Sequence, residues 1–109
     1  MYSQEYRGFS HRDSFGGIPQ FSLYVRLRMK YYSYILLSKK DGIHYYGSTS
    51  NLEKRLKSHN SGQVKFTKGH RPWKIIYSEI FNSRSEASKR ELFYKSIDGY
   101  NWLKKENII

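Results

Sequence analysis

From Tyr31 onward the apolar and polar positions fall into a series of short elements. Tyr31 to Ser38 (YYSYILLS) is aromatic and aliphatic enough to predict a buried strand. Lys39 and Lys40 lead into Asp41-Gly42, a hairpin-turn signal, and Ile43 to Ser48 (IHYYGS) reads as the returning strand. Leu52 and Leu56 share one face of a helix that Ser50 and Glu53 open with capping-box spacing and Asn60, Ser61 and Gly62 stop. A basic loop from Gln63 to Pro72 precedes a third strand, Lys74 to Ile80 (KIIYSEI). Ser83 and Glu86 repeat the capping-box spacing and introduce a helix from Arg84 to Ser96. Asp98-Gly99 breaks it, leaving Tyr100 to Lys105 for a short terminal helix. The order β-β-α-β-α predicts a small α+β domain over residues 29–109.

Residues 1–28 lack this pattern. Gly8, Gly16, Gly17 and Pro19 lie among scattered polar residues, which predicts an N-terminal extension, poorly ordered or weakly packed. No continuous apolar stretch follows a basic start, so a signal peptide is not expected. Arg7, Arg12, Arg26 and Arg28 would suit a transit peptide, but Glu5 and Asp13 count against one. Phe21 to Leu27 has room for a strand or a helical turn. Met29 is a candidate natural start, which mass spectrometry of the endogenous product would test.

Composition narrows the function. A chain of 109 residues has room for one compact domain. The absence of cysteine excludes disulfides, thiolate zinc sites and cysteine nucleophiles. No apolar run approaches the ~18–20 residues of a membrane span, so a soluble, cytoplasmic chain is expected. Lys and Arg number 20 against 9 Asp and Glu, and a net charge of +11 favours a polyanionic partner, most often nucleic acid. Aromatic residues make up 17% of the chain, too many for a disordered basic tail.

Five residues could supply chemistry together. An odd hairpin register places Tyr34 and Tyr45 on one side of the sheet, with Gly47 leaving space beside them for a ligand or backbone. Arg55 and His59 are neighbours on one helix face, and Glu91 lies one turn after Ala87, on or near the buried face of its helix. Taken singly, the tyrosines are packing, the Arg-His pair is a solvated basic face, and the glutamate is salt-bridged. Taken together they match phosphodiester hydrolysis. One carboxylate can hold Mg²⁺ while phosphate and water complete its shell. Arginine offers planar donors to phosphate oxygens, and a tyrosine hydroxyl can orient water or act as base if nearby cations or metal lower its pKa from ~10.

At these residues the sequence resembles the GIY-YIG nuclease domain, particularly the small single-domain bacterial kind related to the catalytic subunit of structure-specific endonucleases. Tyr32-Ser33-Tyr34 stands at the first motif and Tyr45-Tyr46-Gly47 at the second. GSTSNLEKRLKSHNSG (Gly47 to Gly62), RPWKIIYSEIF (Arg71 to Phe81) and SEASKRE (Ser85 to Glu91) are similar to the family's first helix, third strand and glutamate-bearing helix. Tyr32, Ser33 and Tyr46 depart from the Gly and Ile of the motif names and remove no catalytic group. The resemblance implies a three-stranded antiparallel sheet flanked by helices. It also implies DNA endonuclease activity dependent on Mg²⁺, with Mn²⁺ as a substitute. Tyr34 and Tyr45 would position or activate water, Arg55 would contact the scissile phosphate, Glu91 would bind the metal, and His59 matches a position that is a functional histidine in some members. Gly47 matches the motif glycine, and Lys95 a lysine that could touch DNA backbone.

Lys65, Lys68, His70, Arg71 and Lys74 form the densest basic stretch and would either track phosphates or coat a solvated loop. Trp73 and Trp102 read as core or loop anchors. No base-reading motif is present, so sequence specificity would come from DNA shape or from a partner. The expected partners are DNA, branched or single-stranded, and a protein that supplies DNA affinity. Repair, recombination and mobile-element roles all fit. The alternatives are a non-cleaving module of the same fold that binds structured nucleic acid and a ribosomal-type RNA-binding protein, which leaves the Tyr–Arg–Glu set unexplained.

Overall fold

The computed structural model describes residues 30–109. The N-terminal extension, its Phe21 to Leu27 run, the transit-peptide possibility and the Met29 start lie outside the described residues. Strand β1 (Tyr31–Ser38) is central, pairing antiparallel with β2 (His44–Thr49) on one side and β3 (Trp73–Phe81) on the other, in the order β2-β1-β3. Ser38 N–H donates to Ile43 O at 2.9 Å, Gly42 N–H returns to Ser38 O at 3.0 Å, and Gly42 takes φ 79° to close the turn. The resulting register sets Tyr34 against Gly47, so Tyr34, Tyr45 and Gly47 share a face, as strand alternation predicts.

Helix α1 (Leu52–Ser61) is capped by Asn51, whose side chain accepts the Lys54 N–H at 3.0 Å. The expected cap, Ser50, is a turn residue because β2 runs on through Thr49. Gly62, at φ 88°, ends the helix and donates to the Ser58 and His59 carbonyls. Within the stretch expected to be loop, α2 (Lys65–Lys68) forms a single turn. In α3 (Arg84–Tyr94) the Ser83 side chain accepts from Glu86 N–H, the expected cap.

Helix α4 (Ile97–Lys105) corrects the predicted break at Asp98-Gly99: the break falls at Lys95-Ser96, and Ser96 caps α4 by accepting from Gly99 N–H at 3.0 Å. Gly99 serves close approach, because a Cβ there would lie 1.7 Å from the Phe93 carbonyl oxygen.

The sheet is covered on both faces. Ile35 and Tyr77 pack with Tyr94 of α3 and Leu103 of α4. On the other face Tyr34, Leu36 and Trp73 pack with Leu52 and Leu56 of α1. A bulge between Ile35 and Leu36 turns β3 so that Trp73 and Ile75 serve the second face and Tyr77 and Glu79 the first. Among the described residues no helix is long and apolar enough to cross a membrane.

Candidate active site

Tyr34 lies at the centre of the α1 face, 2% exposed. A Cβ on Gly47 would sit 2.5 Å from its hydroxyl oxygen and 2.6 Å from Cζ. The space expected for a ligand beside Gly47 is therefore filled by Tyr34 itself, which explains a glycine at that register position. His59 of α1 is fully buried, with Nε2 3.0 Å from the Tyr34 hydroxyl and Nδ1 2.8 Å from Thr67 Oγ1 of α2. Arg55, one turn earlier on α1, donates its Nε–H to the Tyr34 hydroxyl at 3.4 Å. The Tyr45 ring lies 4.9 Å from the His59 ring and 6.5 Å from Tyr34. Tyr34, Tyr45, Gly47, Arg55 and His59 thus form one cluster, and the Arg-His pair is turned into the domain instead of forming a solvated face.

Burial decides the protonation states. It pushes the Tyr34 phenol up to about 12, outweighing the Arg55 hydrogen bond and charge that favour the phenolate. Arg55 alone thus does not bring this tyrosine below its ordinary value, because the ring is removed from water. Burial, reinforced by the Arg55 charge, lowers His59 to about 4. At neutral pH the pair is a phenol against a neutral imidazole, beside an arginine whose own proton is held more tightly through its hydrogen bond to Tyr34.

Glu91 of α3 has a side chain 22% exposed and an ion pair to Lys95 Nζ at 2.9 Å. Its charge reaches Tyr34, adding to the rise of the phenol pKa. The fully buried carboxylate is a different one, Glu79, which takes hydrogen bonds from Arg90, Tyr94 and Tyr77. Among the described residues no three of His, Cys, Asp and Glu group as a metal cage. Mg²⁺ binds through one or two carboxylates and keeps several waters, so a single partly exposed glutamate suits it. A polar cavity of about 210 Å³ opens beside Arg55, lined by Thr49, Ser50, Asn51, Lys54, Arg55 and Ser58.

The expected nucleic-acid cations divide. Lys65 and Lys68 are exposed on α2, flanking Phe66, which is 59% exposed and stacks on Tyr45 at 6.0 Å between centroids. Arg71 is exposed and donates its Nε–H to the Lys68 carbonyl at 2.8 Å. Lys74 lies opposite Leu37, on the sheet face away from Trp73. Lys95 is exposed and paired with Glu91. Trp73 is an anchor, its indole N–H donating to Thr67 O at 2.9 Å, and Trp102 packs its helix against Tyr77 and Phe93.

Three features escape sequence reasoning. Glu79 was legible in principle, since alternation from Tyr77 to Phe81 points it inward. Phe66 was signalled as a lone phenylalanine in a basic stretch. Thr67 had no signal, because its partner His59 is brought to it by the fold.

The model of the GIY-YIG catalytic domain family matches residues 30–105. A UPF0213 protein of Clostridium perfringens is 45% identical over 67 residues, covering 61% of this chain and 71% of its own length. A UPF0213 protein of Staphylococcus saprophyticus is 43% identical over 76 residues, covering 69% and 92%. The solution NMR structure of a UPF0213 protein from Bacillus halodurans aligns at 35% identity and a TM-score of 0.43, covering 71% of this chain and 84% of that one. With the family match spanning most of its length, the chain belongs to the GIY-YIG catalytic domain family, a family of nucleases.

Proposed function

We propose that this protein is a divalent-metal-dependent endonuclease that hydrolyses phosphodiester bonds in DNA. The observation that carries the proposal is the hydrogen-bonded run from Arg55 through Tyr34 to His59, an arrangement suited to moving a proton beside a bound phosphate. A phenol with a pKa near 12 is not a standing base. Tyr34 accepts a proton from the attacking water as it passes its own to His59 Nε2, which is unprotonated at neutral pH. The water oxygen bonds to phosphorus as the bond to the leaving sugar oxygen breaks, and that oxygen takes a proton from solvent. Tyr45, between Tyr34 and Phe66, orients that water. Arg55 and Lys54, on the polar cavity, bind the phosphate oxygens. Glu91 would hold the metal ion, which when bound supplies Lewis-acid polarisation of the phosphoryl group.

The exposed Phe66 ring between two lysines suits an unstacked base, favouring single-stranded or branched DNA over plain duplex. The test incubates the full chain with labelled single-stranded, duplex, flap, fork and four-way-junction DNA in Mg²⁺ or Mn²⁺. Cleavage is expected from the wild type and lost in Glu91→Ala and Tyr34→Phe, with binding retained. Cleavage persisting in Glu91→Ala refutes the metal role. Binding without cutting under every metal refutes the nuclease proposal and leaves a non-cleaving module of the same fold.

A further inference from the structure

Thr67 is fully buried on a single-turn helix, and its hydroxyl meets the His59 ring at 2.8 Å. One arrangement of protons gives every donor of the run an acceptor. The Thr67 hydroxyl carries a single hydrogen, and the Val64 carbonyl, 3.3 Å from Oγ1, can only accept. With that hydrogen directed to Val64, Oγ1 meets His59 Nδ1 at 2.8 Å as an acceptor, so Nδ1 carries the imidazole proton. The far end of the run requires the same polarity. Arg55 Nε–H can only donate to the Tyr34 oxygen, which leaves the phenol proton directed at His59 Nε2.

We propose that Thr67 is a positioning residue that selects the Nδ1–H tautomer of His59 and so keeps Nε2 an open acceptor for the Tyr34 proton. Without Thr67, an Nε2–H tautomer would point hydrogen at hydrogen across the Tyr34–His59 contact and close the proton path. The fold holds Thr67 rigidly for this. Trp73 Nε1–H and His70 N–H both donate to the Thr67 carbonyl, at 2.9 and 3.1 Å, and Arg71 ties down the next carbonyl, that of Lys68. The consequence for catalysis rests on the nuclease proposal; the tautomer does not.

The experiment is a long-range proton–nitrogen NMR correlation on the ¹⁵N-labelled full chain at neutral pH, paired with cleavage kinetics. Wild type and Thr67→Ser are expected to show a protonated Nδ1 and a bare Nε2. Thr67→Val, which has the same shape without the hydroxyl, is expected to move His59 to the Nε2–H form. It should lower kcat about tenfold or more with KM little changed, while Thr67→Ser retains activity. An Nε2–H tautomer in the wild type overturns the proposal even if Thr67→Val fails to fold, as does a Thr67→Val spectrum unchanged from wild type. A changed tautomer with unchanged kcat overturns the catalytic role. A tautomer as expected in a wild type that cuts no DNA refutes the nuclease proposal and leaves the Thr67 assignment standing.

Discussion

Truncating Glu79 to alanine is expected to cost about 3–5 kcal/mol of folding stability, the usual penalty for breaking a buried ion pair from one side. Glu79 is 1% exposed and faces Ser33 across the sheet. Its carboxylate accepts from Arg90 Nε at 2.6 Å, Tyr94 at 2.7 Å and Tyr77 at 2.9 Å. Glu79→Ala therefore strands a guanidinium whose side chain is 17% exposed and removes an acceptor from two phenols. Arg90 retains cation–π contacts with Phe93 and Trp102, at 4.5 and 4.8 Å, which place the cost inside this range and not above it. At about 4–8 °C per kcal/mol for a domain of this size, Tm should fall by at least about 12 °C. Urea and thermal unfolding of Glu79→Ala, Arg90→Met and the double variant provide the assay. The double variant should lose at least about 1 kcal/mol less than the two singles summed, because removing the arginine removes the uncompensated charge. A Glu79→Ala loss below about 1 kcal/mol, or strict additivity, refutes the reasoning.

Other perturbations separate packing from chemistry. Gly47→Ala should cost about 1–3 kcal/mol by overpacking and push Tyr34 off His59, read as a fall in the urea midpoint and a shifted Tyr34 resonance. His59, with a folded pKa of about 4 against an ordinary 6.5, stabilises the fold in its neutral form. That contribution is complete above pH 6.5 and is lost as pH falls toward 4, at most about 3 kcal/mol, so His59→Gln should flatten the pH dependence of stability in that window. On α2, Phe66→Ala should weaken single-stranded DNA binding by about 1–3 kcal/mol with little change for duplex. Lys65→Ala and Lys68→Ala should each lower the log–log salt slope by ~0.7–0.9.

The strands and the helices α1 and α3 were legible because their signals are local. Asp41-Gly42 made the hairpin, and the odd register followed, placing Tyr34 and Tyr45 on one face. Ser83 capped its helix as its spacing predicted. What was not legible depends on how separate elements meet. Gly99 looks like a helix breaker until Phe93 of the preceding helix is seen to occupy the space of its side chain. Glu91 was read as lying on or near the buried face, whereas the fully buried carboxylate is Glu79, whose partners Arg90 and Tyr94 come from α3 and Tyr77 from its own strand. The protonation of Tyr34 was not legible for the same reason. Arg55 was visible in the sequence, but the burial that outweighs it was not.

An imidazole whose pKa is about 4 is a weak proton acceptor, yet substrate can strengthen it. Two causes depress His59, burial first and the Arg55 charge second. His59 is already fully buried, so DNA laid over the site adds little desolvation. A phosphate bound by Arg55 brings the opposite charge to the second cause and offsets it. The expected result is a His59 pKa that rises on binding DNA but stays below 6.5, because the larger cause persists. An NMR titration of His59 in Glu91→Ala, free and saturated with single-stranded DNA, measures it. A pKa that falls or stays fixed would mean that Arg55 does not engage phosphate near His59. A rise would mean that binding substrate strengthens the base at the moment it is needed, while in the free protein it remains neutral and ready to accept.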